Sequence, residues 1–158
     1  MAVNKVQEIT TDNKQTLSKD YIFAIGRRKS SSAEVRLYKD DAIVWGGTTI
    51  HKGEIFVNNK KALEYFGAHF EKVYKEPMII TNTKDKFAIS IKVRGGGKMG
   101  QLDAAVLGIA RALDKIDREK FHTLLKKRGM LTRDPRVRER RKVGMGGKSR
   151  RKKQSPKR

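Results

Sequence analysis

The sequence predicts an α+β fold, a small β-sheet covered by helices, with a long extended basic C-terminal tail. Three observations carry that prediction. Strand patterns come first, two helical patterns come late, and Lys and Arg crowd the chain after the second helix. Strands followed by helices, instead of alternating with them, gather the helices on one face of a sheet. The expected organisation is a flexible extension over 1–20, a globular domain over 21–129 and an extended tail over 130–158.

The opening segment MAVNKVQEITTDNKQTLSKD lacks the apolar run of a signal peptide. It also has no Arg and carries Glu8, Asp12 and Asp20, which argues against a transit peptide. A flexible extension is expected there. YIFAIGRRKSSSAEVRLY then reads as two strands, with Tyr21, Phe23, Ile25 and afterwards Ala33, Val35, Leu37 at period two. The polar basic turn GRRKSSS joins them into a hairpin. EIFVNN is a shorter strand and KKALEYF a short helix or turn. Phe87, Ile89, Ile91 and Val93 mark another strand with one apolar face.

The clearest helix follows, with Leu102, Ala105, Val106, Ile109, Ala110 and Leu113 in a wide stripe fit to cover a sheet. Gly108 interrupts it at a cost of roughly 1 kcal/mol against Ala. In the last helix Asp117 is the expected N-cap and Phe121, Leu124 and Leu125 share a face. Lys126, Lys127 and Arg128 suit its C-terminal dipole, and Gly129 ends it.

Composition narrows the function classes. The 158 residues have room for one ordinary domain plus extensions. Lys and Arg number 38 against 17 acids, a net charge of +21 that calls for a polyanionic partner. From Lys126 to Arg158 there are 16 basic residues and 2 acids, so one fifth of the chain holds two thirds of the surplus. Few large apolar residues lie in that stretch, too few to offset an ordering cost of roughly 1 kcal/mol per residue. The absence of cysteine excludes disulfides, Cys-ligated zinc and thiol catalysis. The longest apolar runs, YIFAI and AAVLGIA, are too short to span a bilayer, so no membrane partner is expected.

The stretch VRGGGKMGQ contains G-x-G-x-x-G at Gly95, Gly97 and Gly100, between a predicted strand and a predicted helix. A dinucleotide fold then needs a second parallel strand ending in an acid about 20 residues on. That position falls among Asp114, Asp117 and Glu119, in a helix-to-helix connection. The phosphate-loop alternative fails too, because Gln101 and Leu102 stand where Lys and Ser or Thr are required. Two readings remain. The glycines allow positive φ and close backbone approach, or the N–H groups at a helix N-terminus beside Arg94 and Lys98 receive an RNA phosphate.

Other constellations offer no reaction. His51, His69 and His122 lie far apart without metal-ligand spacing, and Ser30 to Ser32 lack a nucleophile elbow. The carboxylates of Asp114, Asp117 and Glu119 fit helix-end electrostatics. No enzyme activity, metal, cofactor or small-molecule substrate is expected.

The motifs GRRKSSSAEVRL, GEIFVNNKKALEYF, GGGKMGQLDAAVLGIARAL and LLKKRGMLTRDPRVRERRKVGMGGKSRRKKQSPKR closely resemble the ninth protein of the small ribosomal subunit, bacterial type. The resemblance spans about residues 21 to 158 and is most specific at LTRDPRVRERRK. It implies an α+β domain like the second domain of the fifth small-subunit protein, seated on the subunit head beside neighbouring head proteins. It also implies a C-terminal tail threaded through ribosomal RNA to the peptidyl-site tRNA. Under that resemblance Arg27, Arg28, Lys29 and the loop of Arg94, Gly95, Gly96, Gly97, Lys98 and Gln101 face ribosomal RNA. Arg133, Arg136, Arg138, Arg140, Arg141 and Lys142 follow the tail path, flanked by Lys126, Lys127 and Arg128 and by Lys148, Arg150, Arg151 and Lys152.

Lys157 and Arg158 are the expected tRNA contacts. The family ends Q-F-S-K-R, whereas here Ser155 and Pro156 replace the aromatic and the serine. KDDAIVWGGTTIHK is longer than the family's usual link between strands, and Trp45 within it either packs on the domain, the preferred reading, or stacks on RNA. The expected location is cytoplasmic, in the ribosome, with an organellar ribosome left open. Two rivals remain: a free RNA chaperone or nucleic-acid-binding protein outside the ribosome and, more weakly, a nucleotide-binding enzyme using Gly95 to Gly100.

Overall fold

The predicted hairpin forms from β1 (Tyr21–Arg28) and β2 (Ser31–Tyr38), antiparallel from Tyr21↔Tyr38 to Arg28↔Ser31. Its turn is shorter than GRRKSSS, because only Lys29 and Ser30 lie outside the ladder. Lys29 takes the left-handed region at φ 52, which lets two residues reverse the chain with the right twist. The computed structural model describes residues 21–140. The expected extension over 1–20 lies outside the described residues, as do Arg141, Lys142, Lys148, Arg150, Arg151, Lys152, Lys157 and Arg158 of the tail.

After the hairpin come β3 (Ile43–Trp45), β4 (Thr48–Ile50), β5 (Ile55–Val57), β6 (Lys60–Lys61), α1 (Ala62–Phe66) and α2 (Glu71–Ile80). β7 (Ala88–Arg94), α3 (Lys98–Ile116) and α4 (Arg118–Lys127) complete the described order. The main sheet runs β1-β2-β7-β5-β6. β7 is antiparallel to β2 and parallel to β5, so the sheet is mixed and the fold is α+β.

The sequence reading contains no counterpart of α2. Pro77 sits inside that helix, and its only buried residues, Tyr74, Pro77 and Met78, make a narrow stripe among charged neighbours.

α3 lies on one face of the sheet, over Ala24, Ala33, Val35 and Leu37 of the hairpin, and buries Leu102, Ala105, Ile109, Ala110 and Leu113. The approach is close enough that a Cβ on Gly26 would stand 1.8 Å from the backbone oxygen of Ala104. One on Gly108 would stand 2.5 Å from Val35 Cγ2. Gly108 therefore trades helix propensity for contact with the sheet.

This close approach also explains which side of β1 is buried. Ala24 and Gly26 turn inward, while Tyr21, Phe23 and Ile25 are exposed on the opposite face. The period-two residues of β1 and β2 thus occupy different faces of one ladder.

That second face is partly covered by the β3–β4 hairpin, which the long KDDAIVWGGTTIHK segment supplies. Ile43 and Ile50 pack with Tyr38, Phe56 and Ala88, and Trp45 leans on this cluster. The Arg36 guanidinium lies 4.6 Å from the Trp45 ring centre. Trp45 therefore takes the expected packing role, and among the described residues helices cover only one of the two faces.

α4 begins as predicted, with the Asp117 side chain accepting from the Lys120 backbone N–H at 3.2 Å. Gly129, at φ 70, ends the turn beyond it. Among the described residues, no helix is long and apolar enough to cross a membrane.

Candidate nucleic-acid interface

Register places four motifs at one end of the sheet. Ser32 of β2 pairs with Arg94 of β7, so the hairpin turn and the glycine loop are neighbours. α3 starts from that loop at Gly97, and the chain beyond α4 returns to the same place.

The glycine loop is built by the first two glycines of the triplet. Gly95 and Gly96 have φ 71 and 64, and Cβ atoms there would stand 2.6 Å from Ser30 O and 2.0 Å from Ser31 Oγ. Gly97 instead is extended, at φ −114, with open space where a Cβ would go. Neither positive φ nor crowding inside the domain requires glycine at that position.

Ser31 Oγ donates to Gly95 O at 3.2 Å, and Gln101 Nε2 donates to the same oxygen at 3.0 Å. Tyr65 Oη donates in turn to Gln101 Oε1 at 2.8 Å. Gln101, expected on RNA, is thus a brace that holds the loop from within. The loop leads into a helix start with no side-chain cap at Gly97, which leaves backbone N–H groups of the first turn without a side-chain acceptor.

Around this loop Arg27, Lys29, Arg94 and Lys98 are exposed, and none of them pairs with a carboxylate among the described residues. Unpaired cations beside free helix N–H groups make a surface suited to phosphate.

Arg28 behaves differently. Its guanidinium reaches Asp103 at 3.3 Å, Asp134 at 3.0 Å and the Arg136 carbonyl at 3.0 Å, and only 13% of its side chain is exposed. Asp134 also accepts from Arg136 through Nε at 2.9 Å and through NH2 at 2.6 Å, a two-pronged pairing.

Hydrogen bonds from Arg136, helped by the charges of Arg136 and Arg28, hold the Asp134 carboxyl well below the usual carboxylate range. The D-P-R part of LTRDPRVRER, expected to follow RNA, is in this respect an internal clasp. It fastens the base of the tail to β1 and α3 across a cleft of about 330 Å³. Residues 133–140 adopt no helix or strand beyond it, and Arg133, Arg138 and Arg140 are exposed. Lys126, Lys127 and Arg128 are exposed at the end of α4.

The strand, glycine loop and helix occur in the order of a dinucleotide site, but the topology differs. β7 is followed by α3 and then α4, and no parallel strand follows α3 among the described residues. His122 Nδ1 lies 2.9 Å from Asp114 Oδ1, a local pair between the last two helices.

The family model for ribosomal protein S9/S16 matches residues 26–158. The chain belongs to the ribosomal protein S9/S16 family. A structural role in the ribosome follows from that membership, and the matched span contains the turn, the loop, the clasp and the tail. The exposed cations themselves could be picked from charge and motif. The internal duties of Arg28, Gln101 and Asp134 could not, because each depends on a partner far away in sequence.

Proposed function

We propose that the chain is of the bacterial S9 type, a structural constituent of the small subunit that binds ribosomal RNA in the head, beside neighbouring head proteins. Arg27, Lys29, Arg94 and Lys98 take phosphates around the Gly95–Gly97 loop and the start of α3. Arg28 and Asp134 direct the tail, whose cations neutralise RNA along its path, and Lys157 and Arg158 touch peptidyl-site tRNA.

The observation that carries this reading is the meeting, at one sheet end, of unpaired cations, an open helix N-terminus and the fastened base of the tail. Phosphate contacts of this kind position a protein without reading sequence.

Gly97→Val tests the RNA contact, since its Cβ meets nothing inside the domain. It costs the fold only a weaker cap, about 1 kcal/mol. Co-sedimentation with small subunits should drop severalfold while the domain melts nearly as before; full incorporation would remove the loop from the RNA interface. Deleting Lys157 and Arg158 should leave incorporation intact and speed tRNA release from the peptidyl site. Unchanged release would take the tip away from tRNA.

A further inference from the structure

The second face of the sheet carries a feature that shares only Arg94 with the phosphate-binding end. A groove of about 630 Å³ opens between Trp45 and Gly46 at the tip of the β3–β4 hairpin, the Asn58–Asn59 turn, and the Ile91–Arg94 half of β7. Its walls are fixed. Asn58 and Asn59 both take the left-handed region, at φ 47 and 68, to close the β5–β6 turn.

The Asn58 side chain then imitates a strand. It donates to Val93 O at 3.1 Å and accepts from Val93 N at 3.0 Å, locking the turn to β7. Gly46 sits so close to the Asn59 amide that a Cβ there would be 2.7 Å from Asn59 Oδ1.

The chemistry of the lining is mixed in a particular way. Trp45 supplies an aromatic ring, partly exposed, with the Arg36 guanidinium 4.6 Å from its centre. Asn59 presents an exposed amide that makes no side-chain hydrogen bond among the described residues, leaving both donor and acceptor free. Lys92 and Arg94 stand exposed on the same sheet face, opposite Glu34 and Ser32 in register, and neither is ion-paired among the described residues.

Trp45 Nε1 is buried without a hydrogen-bond partner among the described residues, as are Arg36 Nε and Ser90 Oγ, whose residues pair across β2 and β7 but do not line the groove. An aromatic ring, a free amide and two free cations along one strand match an RNA base with its flanking phosphates. A peptide partner is favoured less, because the groove has no free acid to answer basic side chains and its exposed charges are all positive.

We propose that this groove receives one unstacked nucleobase of single-stranded RNA against Trp45 and Asn59, with the adjacent phosphates on Lys92 and Arg94. The proposal takes its polymer class from the ribosomal reading. It adds a second, base-accepting site on the opposite sheet face from α3.

Trp45 is the chain's single tryptophan, so its emission reports this groove alone. The full chain would be titrated with an end-labelled eight-nucleotide oligoadenylate and, separately, with a blunt RNA duplex. Label anisotropy follows total binding and tryptophan emission follows the groove. Both RNAs should raise anisotropy through the basic surface, but only the single strand should quench Trp45. In Lys92→Gln, which leaves the glycine-loop cations in place, the affinity read from quenching should fall severalfold, the scale of losing one phosphate contact.

The Lys92 side chain is exposed, so the fold survives to be measured. Single-stranded binding without quenching, equal quenching by the duplex, or unaltered quenching affinity in Lys92→Gln would each overturn the proposal. Small-subunit co-sedimentation is read separately. Loss of quenching with intact incorporation rejects the groove alone, and lost incorporation with intact quenching rejects the ribosomal reading alone.

Discussion

Asp134 shows how one carboxylate can decide what a basic motif does. Among the 16 Lys and Arg from Lys126 onward it is one of 2 acids, and both of its oxygens are engaged with Arg136 while Arg28 reaches Oδ2. The Arg136 partner is 81% exposed and Arg28 keeps Asp103 when Asp134 is lost, so these contacts contribute little net stability and their value lies in direction. It sets where the tail leaves the domain.

Asp134→Asn should therefore leave the melting temperature nearly unchanged but free the tail base, read as severalfold faster tryptic cleavage after Arg133 and Arg136. The pH dependence has a definite sign. Because the carboxyl titrates below its usual value, its contribution is complete above about 4 and is lost only as pH falls through the lower folded value. The Arg136 Nε–H resonance should thus stay in its paired position from neutral pH down to about 4. In Asp134→Asn it should be absent from that position at every pH.

Arg28 marks the limit of the sequence reading at this scale. GRRK offers three equivalent cations, and only the fold, by bringing Asp103 and Asp134 to the middle one, tells them apart.

At the scale of elements, periodicity identified β1, β2, β7, α3 and α4, because each is long enough to repeat its pattern. It did not reveal the buried side of β1. The large residues Tyr21, Phe23 and Ile25 look like core, yet the helix needs Ala24 and Gly26, the small ones, beneath it. The edge so exposed is guarded from α3, where Arg111 donates to Ile25 O at 3.0 Å and Lys115 to Phe23 O at 2.7 Å. Those two carbonyls are then occupied and do not invite another strand.

α2 and the β3–β4 hairpin escaped the reading for opposite reasons. Pro77 disguises the first, and three-residue strands are too short to declare the second. Gly108 decides between two effects of known size. Gly108→Ala gains roughly 1 kcal/mol of helix propensity. Its Cβ, however, would meet Val35 Cγ2 at 2.5 Å, and overpacking of this kind typically costs 1–3 kcal/mol. Urea unfolding should show a net loss of up to about 2 kcal/mol. A net gain would mean that α3 can shift on the sheet without cost.

Across the whole molecule the charge is arranged in two tiers that meet at the clasp. The sheet end holds a few fixed cations around Gly95–Gly97, while residues 141–158 alone contain 9 of the 38 basic residues. If about half of the 16 cations from Lys126 onward reach phosphates, affinity for irregular RNA should fall with salt at a log-log slope of roughly −6. Truncation after Arg140 removes 9 of those 16, which should flatten the slope to roughly −3 while the clasp and folded domain remain. Filter binding between about 50 and 200 mM salt spans enough affinity to separate the two values. The comparison also weighs the tiers against each other. A truncated chain that kept the steeper slope would place the electrostatic anchor on Arg27, Lys29, Arg94 and Lys98, with the tail contributing reach. The flatter slope makes the folded end a positioning device and the tail the source of affinity, a division already implied by fastening a cation-rich segment to the domain at its base.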